Sequence, residues 1–178
     1  KNKFQSDWTK SDTIVASIGQ GFALTSPIQL AVMIARICTR GNLIIPKIIR
    51  NQESNDKFSR TSFLADESYS YLMKGMFNTV NNIKGTAYQS KDIKPGYLMA
   101  GKTATSQVRR ITMSEREEGI IKNEDLPRNM RDHALFVGYF PYDKPKYAFS
   151  IVVEHGGSGS KTAAPIARDI CKKLVEKI

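Results

Sequence analysis

The sequence predicts an α+β fold in which three antiparallel strands form a meander and helices pack against it. Two apolar runs, ALFVGYF (134–140) and YAFSIVVEH (147–155), are separated by the turn-forming segment PYDKPK and therefore predict a β-hairpin. A further strand is predicted over 97–109, and apolar residues at helical spacing occur before and after the strands. Strands that are grouped along the chain and flanked by helices are typical of an α+β arrangement.

The first predicted helix begins near Pro27, after a mixed N-terminal stretch with the turn-like segment SIGQG. Thr25 or Ser26 can cap this helix, and proline suits its first position. Its body, IQLAVMIARIC, is apolar nearly all round, which predicts a helix in the protein interior. Arg40 and Gly41 predict its end.

The segments that follow alternate between loops and helices. LIIPKIIR (43–50) is short and broken by a proline, so it predicts an extended or edge segment, and NQESNDKFSR (51–60) predicts a loop. A second helix is predicted over 66–80 from its apolar spacing. After the hairpin, GGSGS (156–160) predicts a break, and a last helix with one apolar stripe is predicted over 163–178.

Composition narrows the possible function only slightly. The formal net charge of +10 favours an anionic partner such as nucleic acid, membrane headgroups or an acidic polymer, although a basic soluble surface explains it equally well. No apolar run is long enough to predict a membrane span. The chain begins at Lys1, so we expect it to be cut from a longer protein whose front end could carry an anchor. Cys38 and Cys171 lie in apolar helical patterns and predict buried free thiols.

The strand segment AGKTATSQV carries the candidate site. Because side chains alternate along a strand, Lys102 and Ala104 face one way while Thr103 and Thr105 face the other. A cation and two hydroxyls could hold an anionic group, and a backbone N–H at the edge could stabilise an oxyanion. Polar residues on an edge strand also protect against aggregation, so the segment alone leaves both interpretations open.

AGKTATSQV resembles the Lys-Thr-Gly strand motif of penicillin-binding proteins and serine β-lactamases. Four further segments resemble class B penicillin-binding proteins, in family order: ASIGQGFALTSPIQLAVMIARI, GMFNTVNNIKGTA, RDHALFVGYFPYDKPKYAFSIVVEHGG and SKTAAPIARDI. The resemblance covers nearly all 178 residues and is greatest to penicillin-binding protein 2, the elongation-type D,D-transpeptidase. It implies that residues 1–178 are the C-terminal part of one transpeptidase domain, with the three strands belonging to a larger antiparallel sheet.

The resemblance also implies an activity and partners. The parent would form a serine acyl-enzyme with the D-Ala-D-Ala end of a peptidoglycan stem peptide and pass the acyl group to an amine on a neighbouring strand. It would need no metal or organic cofactor, would be acylated by β-lactam antibiotics, and would bind no nucleic acid. A membrane anchor upstream would hold it in the bacterial inner membrane, with this domain facing the periplasm and other cell-elongation proteins as partners.

Site roles follow from the same motif. Lys102 would supply positive charge, Thr103 and Thr105 would hydrogen-bond the substrate carboxylate, and the backbone N–H of Thr105 would be one of two oxyanion donors. Ala104 stands where the family motif has glycine. Its methyl group would point to the Lys102 side and could crowd the nucleophile.

The nucleophile itself is expected outside this chain. Two Ser-x-x-Lys matches occur, Ser54 with Lys57 and Ser158 with Lys161, but neither opens a helix ahead of the motif strand, so we interpret both as chance matches. No Ser-x-Asn motif is found. The chain alone is therefore expected to be inactive, and residues 147–155 are expected to form an open edge that pairs with a second copy.

Three alternatives remain open at this point. The charged segment 109–132 fits a contact with substrate, glycan or a partner as well as it fits a solvated face. His133 and His155 favour structural placement over acid–base chemistry. The rival function is a non-catalytic basic domain that binds an anionic polymer such as nucleic acid, which would explain the net charge but not the family-order segments.

Overall fold

The structure is a computed structural model that describes residues 7–21, 24–42, 44–49, 64–91, 97–109 and 111–176. Its three strands are β1 (Ala100–Ser106), β2 (His133–Phe140) and β3 (Tyr147–Val153). They form one antiparallel sheet in the order β1-β2-β3. The predicted meander and the predicted α+β class are confirmed.

The described part contains five α-helices: α1 (Lys10–Ser17), α2 (Pro27–Cys38), α3 (Asp66–Asn81), α4 (Met113–Glu118) and α5 (Ala164–Val175). The second, third and fifth match predicted helices. Helices α1 and α4 were not predicted, because neither buries an apolar stripe. Each begins instead with a reciprocal capping box, Thr9 with Asp12 and Thr112 with Glu115, which satisfies the first N–H groups of a short helix.

β2 separates two cores because its side chains alternate between the faces of the sheet. Phe136 and Phe140 lie on the α5 side, where they pack with Met99, Ala167 and Cys171. This cluster is called the α5-side core. Every residue of β2 from Ala134 to Phe140 except Leu135 is buried, which agrees with a central strand covered on both faces.

The opposite face of β2 packs against α2 and α3. Val137 and Tyr139 contact Ile34 of α2, Met76 of α3 and Ala100 of β1. This cluster is called the α2–α3-side core. The hydroxyl of the buried Tyr139 donates to the Met73 carbonyl at 3.4 Å, so its one polar atom is paired.

The prediction that α2 lies wholly in the interior is wrong for one of its faces. Ile34 is 1% exposed, but Ile28 is 57% exposed and Met33 is 44% exposed. The helix packs against β2, β3 and α3 on one side. Its other side lines an apolar groove, which is completed by Ile44, Ile45, Pro46, Leu64 and Leu72. Periodicity could not reveal this because the exposed face is as apolar as the buried one.

The strands are shorter than predicted because their ends find other hydrogen-bond partners. The 97–109 strand is regular only over Ala100–Ser106, since the Val108 N–H donates to the Asp132 carboxylate at 3.2 Å. The 147–155 strand ends at Val153, where the Gly156 N–H turns back to the Val153 carbonyl. His155, at φ 56°, completes that turn in the left-handed region.

The remaining expectations concern single segments. Residues 44–49 are irregular rather than extended in a sheet, and 51–60 lie outside the described residues. Cys171 is buried and Cys38 is half-buried, and both are free thiols. Burial raises the pKa of Cys38 to about 12. Within the described residues we find no helical segment with the length and hydrophobicity of a membrane span.

Candidate active site

Residues 102–105 of β1 line a cleft of about 440 Å³, called the β1 groove. The other walls come from the turn after α1, from the segment after α3 and from the start of the helical segment before α5. They are formed by Ile18, Gly19, Gln20, Thr86, Ser158, Gly159 and Ser160. The four predicted site residues are therefore brought together on one wall, and three distant segments complete it.

The register of β1 on β2 fixes which way each side chain points. Lys102 lies opposite Val137, so it is on the α2–α3 side of the sheet. Thr103 lies opposite Phe136, so it is on the α5 side. The predicted separation of the cation from the two hydroxyls is confirmed. Lys102, Ala104 and Thr105 are exposed, as a wall of an open cleft requires.

The backbone N–H and C=O groups of β1 also alternate in direction, pointing in turn toward β2 and away from it. A Cβ placed on Gly159 would overlap the Leu135 carbonyl oxygen and would lie 2.5 Å from the Ala104 carbonyl oxygen and 3.1 Å from the Ala104 nitrogen. Ala104 and Leu135 face each other in register, and their polar backbone atoms meet between the strands, as in a hydrogen-bonded antiparallel pair. Because the direction alternates along a strand, Thr103 and Thr105 direct their N–H and C=O groups away from β2.

Two hydrogen bonds support this geometry. The Lys102 ammonium donates to the Thr103 carbonyl at 2.7 Å, which agrees with a carbonyl that points to the outer edge. The hydroxyls of Thr103 and Thr86 lie 3.0 Å apart and are hydrogen-bonded. Thr86 therefore lines the groove beside Thr103, although it was not predicted as a site residue.

The turn before α5 packs directly on the β1 backbone. Residues Gly159–Ala163 form a π-helical turn in which the Ala164 N–H donates to the Gly159 carbonyl. The predicted break over 156–160 is thus wrong at its end, because helical structure begins at Gly159. The side chain of Ala104 points to the α2–α3 side, so Gly159 can pack on the Ala104 backbone from the α5 side. The contact is so close that a residue with a Cβ would not fit there.

The Ser-x-x-Lys match at Ser158 is not a nucleophile and base pair in this geometry. The Ser158 hydroxyl accepts from the Lys161 backbone N–H and is bonded to the Ser160 hydroxyl at 3.0 Å. The Lys161 ammonium lies 3.9 Å from the Glu124 carboxylate instead. Ser54 lies outside the described residues. Ser158 serves as the cap of the π-helical turn and as a lining residue of the β1 groove.

The two histidines hold the turn after β3. The His155 N–H donates to His133 Nδ1 at 3.0 Å, and His155 Nδ1 donates to the Arg131 carbonyl at 3.0 Å. The rings meet edge to face with centroids 4.8 Å apart. Neither histidine lines the β1 groove. These contacts support the structural interpretation of both residues.

The long connection from β1 to β2 is built by specific hydrogen bonds. Asp132 accepts from the Val108 N–H and from Asn123 Nδ2, while its own N–H donates to Asn123 Oδ1. Arg109 and Glu115 form an ion pair at 2.6 Å. The Thr112 backbone N–H, and then the Arg109 guanidinium, lower the pKa of Glu115. The segment is thereby tied to the end of the wall strand.

Other features of the described part compete less well for a chemical role. The apolar groove beside α2 is larger, at about 800 Å³, but none of residues 102–105 lines it. Within the described residues, no group of three or more His, Cys, Asp or Glu side chains could hold a metal ion. The β1 groove combines a cation and hydroxyls with outward backbone donors on the strand that carries the predicted site residues.

Residues 2–172 match the family model described as penicillin binding protein transpeptidase domain. The chain is 32% identical to peptidoglycan D,D-transpeptidase MrdA of Salmonella typhimurium, over 95% of this chain and 28% of the relative. It is also similar to two solved structures. The penicillin-binding protein PBP2 of Helicobacter pylori, in complex with MreC, has a TM-score of 0.78 at 32% identity, over 98% of this chain and 29% of that one.

The second solved structure is Pseudomonas aeruginosa PBP2 in complex with WCK 5153, which has a TM-score of 0.70 at 31% identity, over 93% of this chain and 33% of that one. The chain thus spans between a quarter and a third of the length of these relatives.

Proposed function

Because the chain belongs to the penicillin-binding protein transpeptidase family, we propose that its parent is a peptidoglycan D,D-transpeptidase and that β1 forms one wall of the acyl-transfer site. The observation that carries this proposal is the β1 groove, which is lined by the cation Lys102 and by Thr103 and Thr105, whose backbone groups are directed away from β2. A serine oxygen would attack the carbonyl of the penultimate D-Ala and release the terminal D-Ala. An amine of a second stem peptide would then take the acyl group.

Each residue of the wall has a proposed part in this reaction. Lys102 supplies positive charge on the α2–α3 side, where it attracts the substrate carboxylate. Thr103 and Thr105 offer hydroxyls on the other side of the strand. The Thr105 N–H is proposed as an oxyanion donor, and its direction away from β2 supports this, because an oxyanion can only be reached from the open edge. Thr86 fixes the Thr103 hydroxyl through their 3.0 Å hydrogen bond.

The serine and its base are proposed to come from a part of the parent outside these 178 residues. Residues 1–178 would then form the C-terminal part of one transpeptidase domain. The position of Ser158 as a cap, with Lys161 directed to Glu124, supports this, since neither is placed as an activated nucleophile.

Partners and location follow from the same proposal. We infer that the parent is anchored in the bacterial inner membrane and that this domain faces the periplasm. We also infer that it acts with other elongation proteins in the cell-wall synthesis that determines cell shape. The solved complex of Helicobacter pylori PBP2 with MreC supports a protein partner of that kind. β-Lactam antibiotics are proposed to acylate the parent.

The test is covalent labelling of the full-length parent with a fluorescent penicillin. We expect a labelled band that unlabelled penicillin suppresses, and we expect Lys102→Ala to slow labelling about 100-fold because it removes charge stabilisation in the groove. Lys144→Ala, in the exposed β2–β3 turn, removes the same charge elsewhere and is the control. A folded parent that is not labelled, but binds DNA with steep salt dependence, would establish the rival polymer-binding function instead.

A further inference from the structure

A second cleft, of about 300 Å³, lies beside the β1 groove. It is lined by Lys122, Asn123, Glu124, Arg131, Gly156, Gly157, Ser158, Lys161 and Thr162. We call it the basic cleft. Ser158 lines both clefts. The two clefts therefore adjoin at the residue that caps the π-helical turn.

The basic cleft carries an excess of positive charge. Lys122, Arg131 and Lys161 face one carboxylate, that of Glu124. The Glu124 carboxylate lies 3.9 Å from the Lys161 ammonium, and both side chains are mostly exposed, at 65% and 79%. Water screens such a pair, so it leaves the cations able to bind another anion.

Arg131 is held in position by two backbone carbonyls. Its Nε donates to the Leu126 carbonyl at 2.9 Å and its Nη2 donates to the Glu124 carbonyl at 3.1 Å. The neighbouring Asp132 carboxylate is bonded to the Val108 N–H and to Asn123 instead. Within the described residues Arg131 makes no ion pair. A half-buried guanidinium fixed by two neutral carbonyls keeps its full charge and its orientation.

The geometry points to the basic cleft as a subsite for a carboxylate of the peptide whose D-Ala-D-Ala end lies in the β1 groove. The inference rests on the proposed function and adds to it a preference for acidic peptides. A guanidinium fixed in its plane suits a planar carboxylate, with Lys122 and Lys161 adding attraction at the rim. In this proposal the peptide passes over Ser158, the residue that lines both clefts.

The test uses the full-length parent and pairs of synthetic acyl-donor peptides that end in D-Ala-D-Ala. The two members of a pair differ only in Glu against Gln at one position, and the pairs place that residue two, three or four positions before the D-Ala-D-Ala end. We expect one pair to show a higher kcat/KM for its Glu member. The ratio should fall as the salt concentration rises, because exposed charges are screened.

Variants then locate the effect. The double variant Lys122→Gln with Lys161→Gln is expected to lower kcat/KM about five-fold for the Glu peptide and to leave the Gln peptide unchanged. Arg131→Gln is expected to lower kcat/KM for the Glu peptide about ten-fold, and Arg131→Lys is expected to lose less. Lys144→Gln, outside the cleft, is the control and should change neither peptide.

Two results would overturn the inference: equal kcat/KM for Glu and Gln at every position, or equal losses on both peptides in the lysine double variant. A parent that still reacts with fluorescent penicillin would in that case keep its proposed function. A parent that does not react with penicillin would overturn the proposed function itself.

Discussion

Ala104 is the residue of the β1 groove that departs from the strand motif. Its side chain is exposed and shares the Lys102 face of the strand. In the full-length parent, we expect Ala104→Gly to raise the rate of β-lactam acylation, because the methyl group no longer narrows the approach of the nucleophile. Stopped-flow measurement of acylation checks this, and an unchanged or lower rate would contradict the crowding hypothesis.

The same change should lower stability. Glycine in a strand is destabilising by about 0.5–1 kcal/mol relative to alanine, because it loses more conformational freedom on folding. Ala104→Ser keeps a Cβ and serves as the matched variant: it should lower stability less and should not speed acylation.

Gly159 is the residue whose lack of a side chain joins the π-helical turn to β1. We expect Gly159→Ala to lower the free energy of unfolding by about 2 kcal/mol, because the added Cβ would overlap two backbone carbonyl oxygens. Denaturant unfolding checks the loss, and hydrogen exchange should report faster opening at β1. Gly75→Ala is the matched control, since a Cβ at Gly75 meets nothing within 4 Å and should stabilise α3 by up to about 1 kcal/mol.

Among the elements, the connection between β1 and β2 is the one whose character the sequence left open. Its charged composition fitted either a contact surface or a solvated face. The structure shows that Asp132 ties it to the end of β1 and that Arg131 is fixed within it. Its hydrogen bonds run between side chains and irregular backbone, and no periodicity encodes them.

Asp132→Ala is expected to release this connection. It removes the acceptors of the Val108 N–H and of Asn123 Nδ2, so we expect a loss of about 1–3 kcal/mol in the free energy of unfolding. Amide exchange should speed up at Val108 and across 111–131. Asp143→Ala, in the exposed β2–β3 turn, should change stability by less than about 0.5 kcal/mol. Unchanged exchange at Val108 in the Asp132 variant would show that the connection is held by other contacts.

At the scale of the whole molecule, the sheet and its helices were largely predictable, while the site was predictable only in part. Apolar spacing located α2, α3, α5 and the hairpin, since these elements bury one stripe or alternate faces. Residues 102–105 were predictable because one strand carries them. The parts played by Thr86, by the turn at Gly19 and by Gly159 were not predictable, because spacing along the sequence does not show which separate elements lie close together in space. Their signal lay in SIGQG and GGSGS, which were interpreted as a turn and a break, and in KGTA, which was quoted only within a longer resembling segment.

β3 ends the sheet in the described part of the chain, and the register directs the backbone groups of Ala148, Ser150 and Val152 away from β2. We expect the 178-residue chain, expressed on its own, to self-associate through this edge. Sedimentation at increasing concentration checks this. Val152→Lys should favour the monomer by placing a charge at the edge, whereas Val152→Thr should not. A monomer at millimolar concentration would contradict the expectation.

If the proposed function holds, the contact between Gly159 and the Ala104 backbone has a consequence for the response to β-lactam antibiotics. Two of the stretches that line the groove, at 102–105 and 158–160, lie more than fifty positions apart. In the proposed transpeptidase, changes selected by β-lactam antibiotics that reshape the groove are therefore expected at both stretches. Resistance surveys that sequence only the strand motif would miss changes at the second stretch.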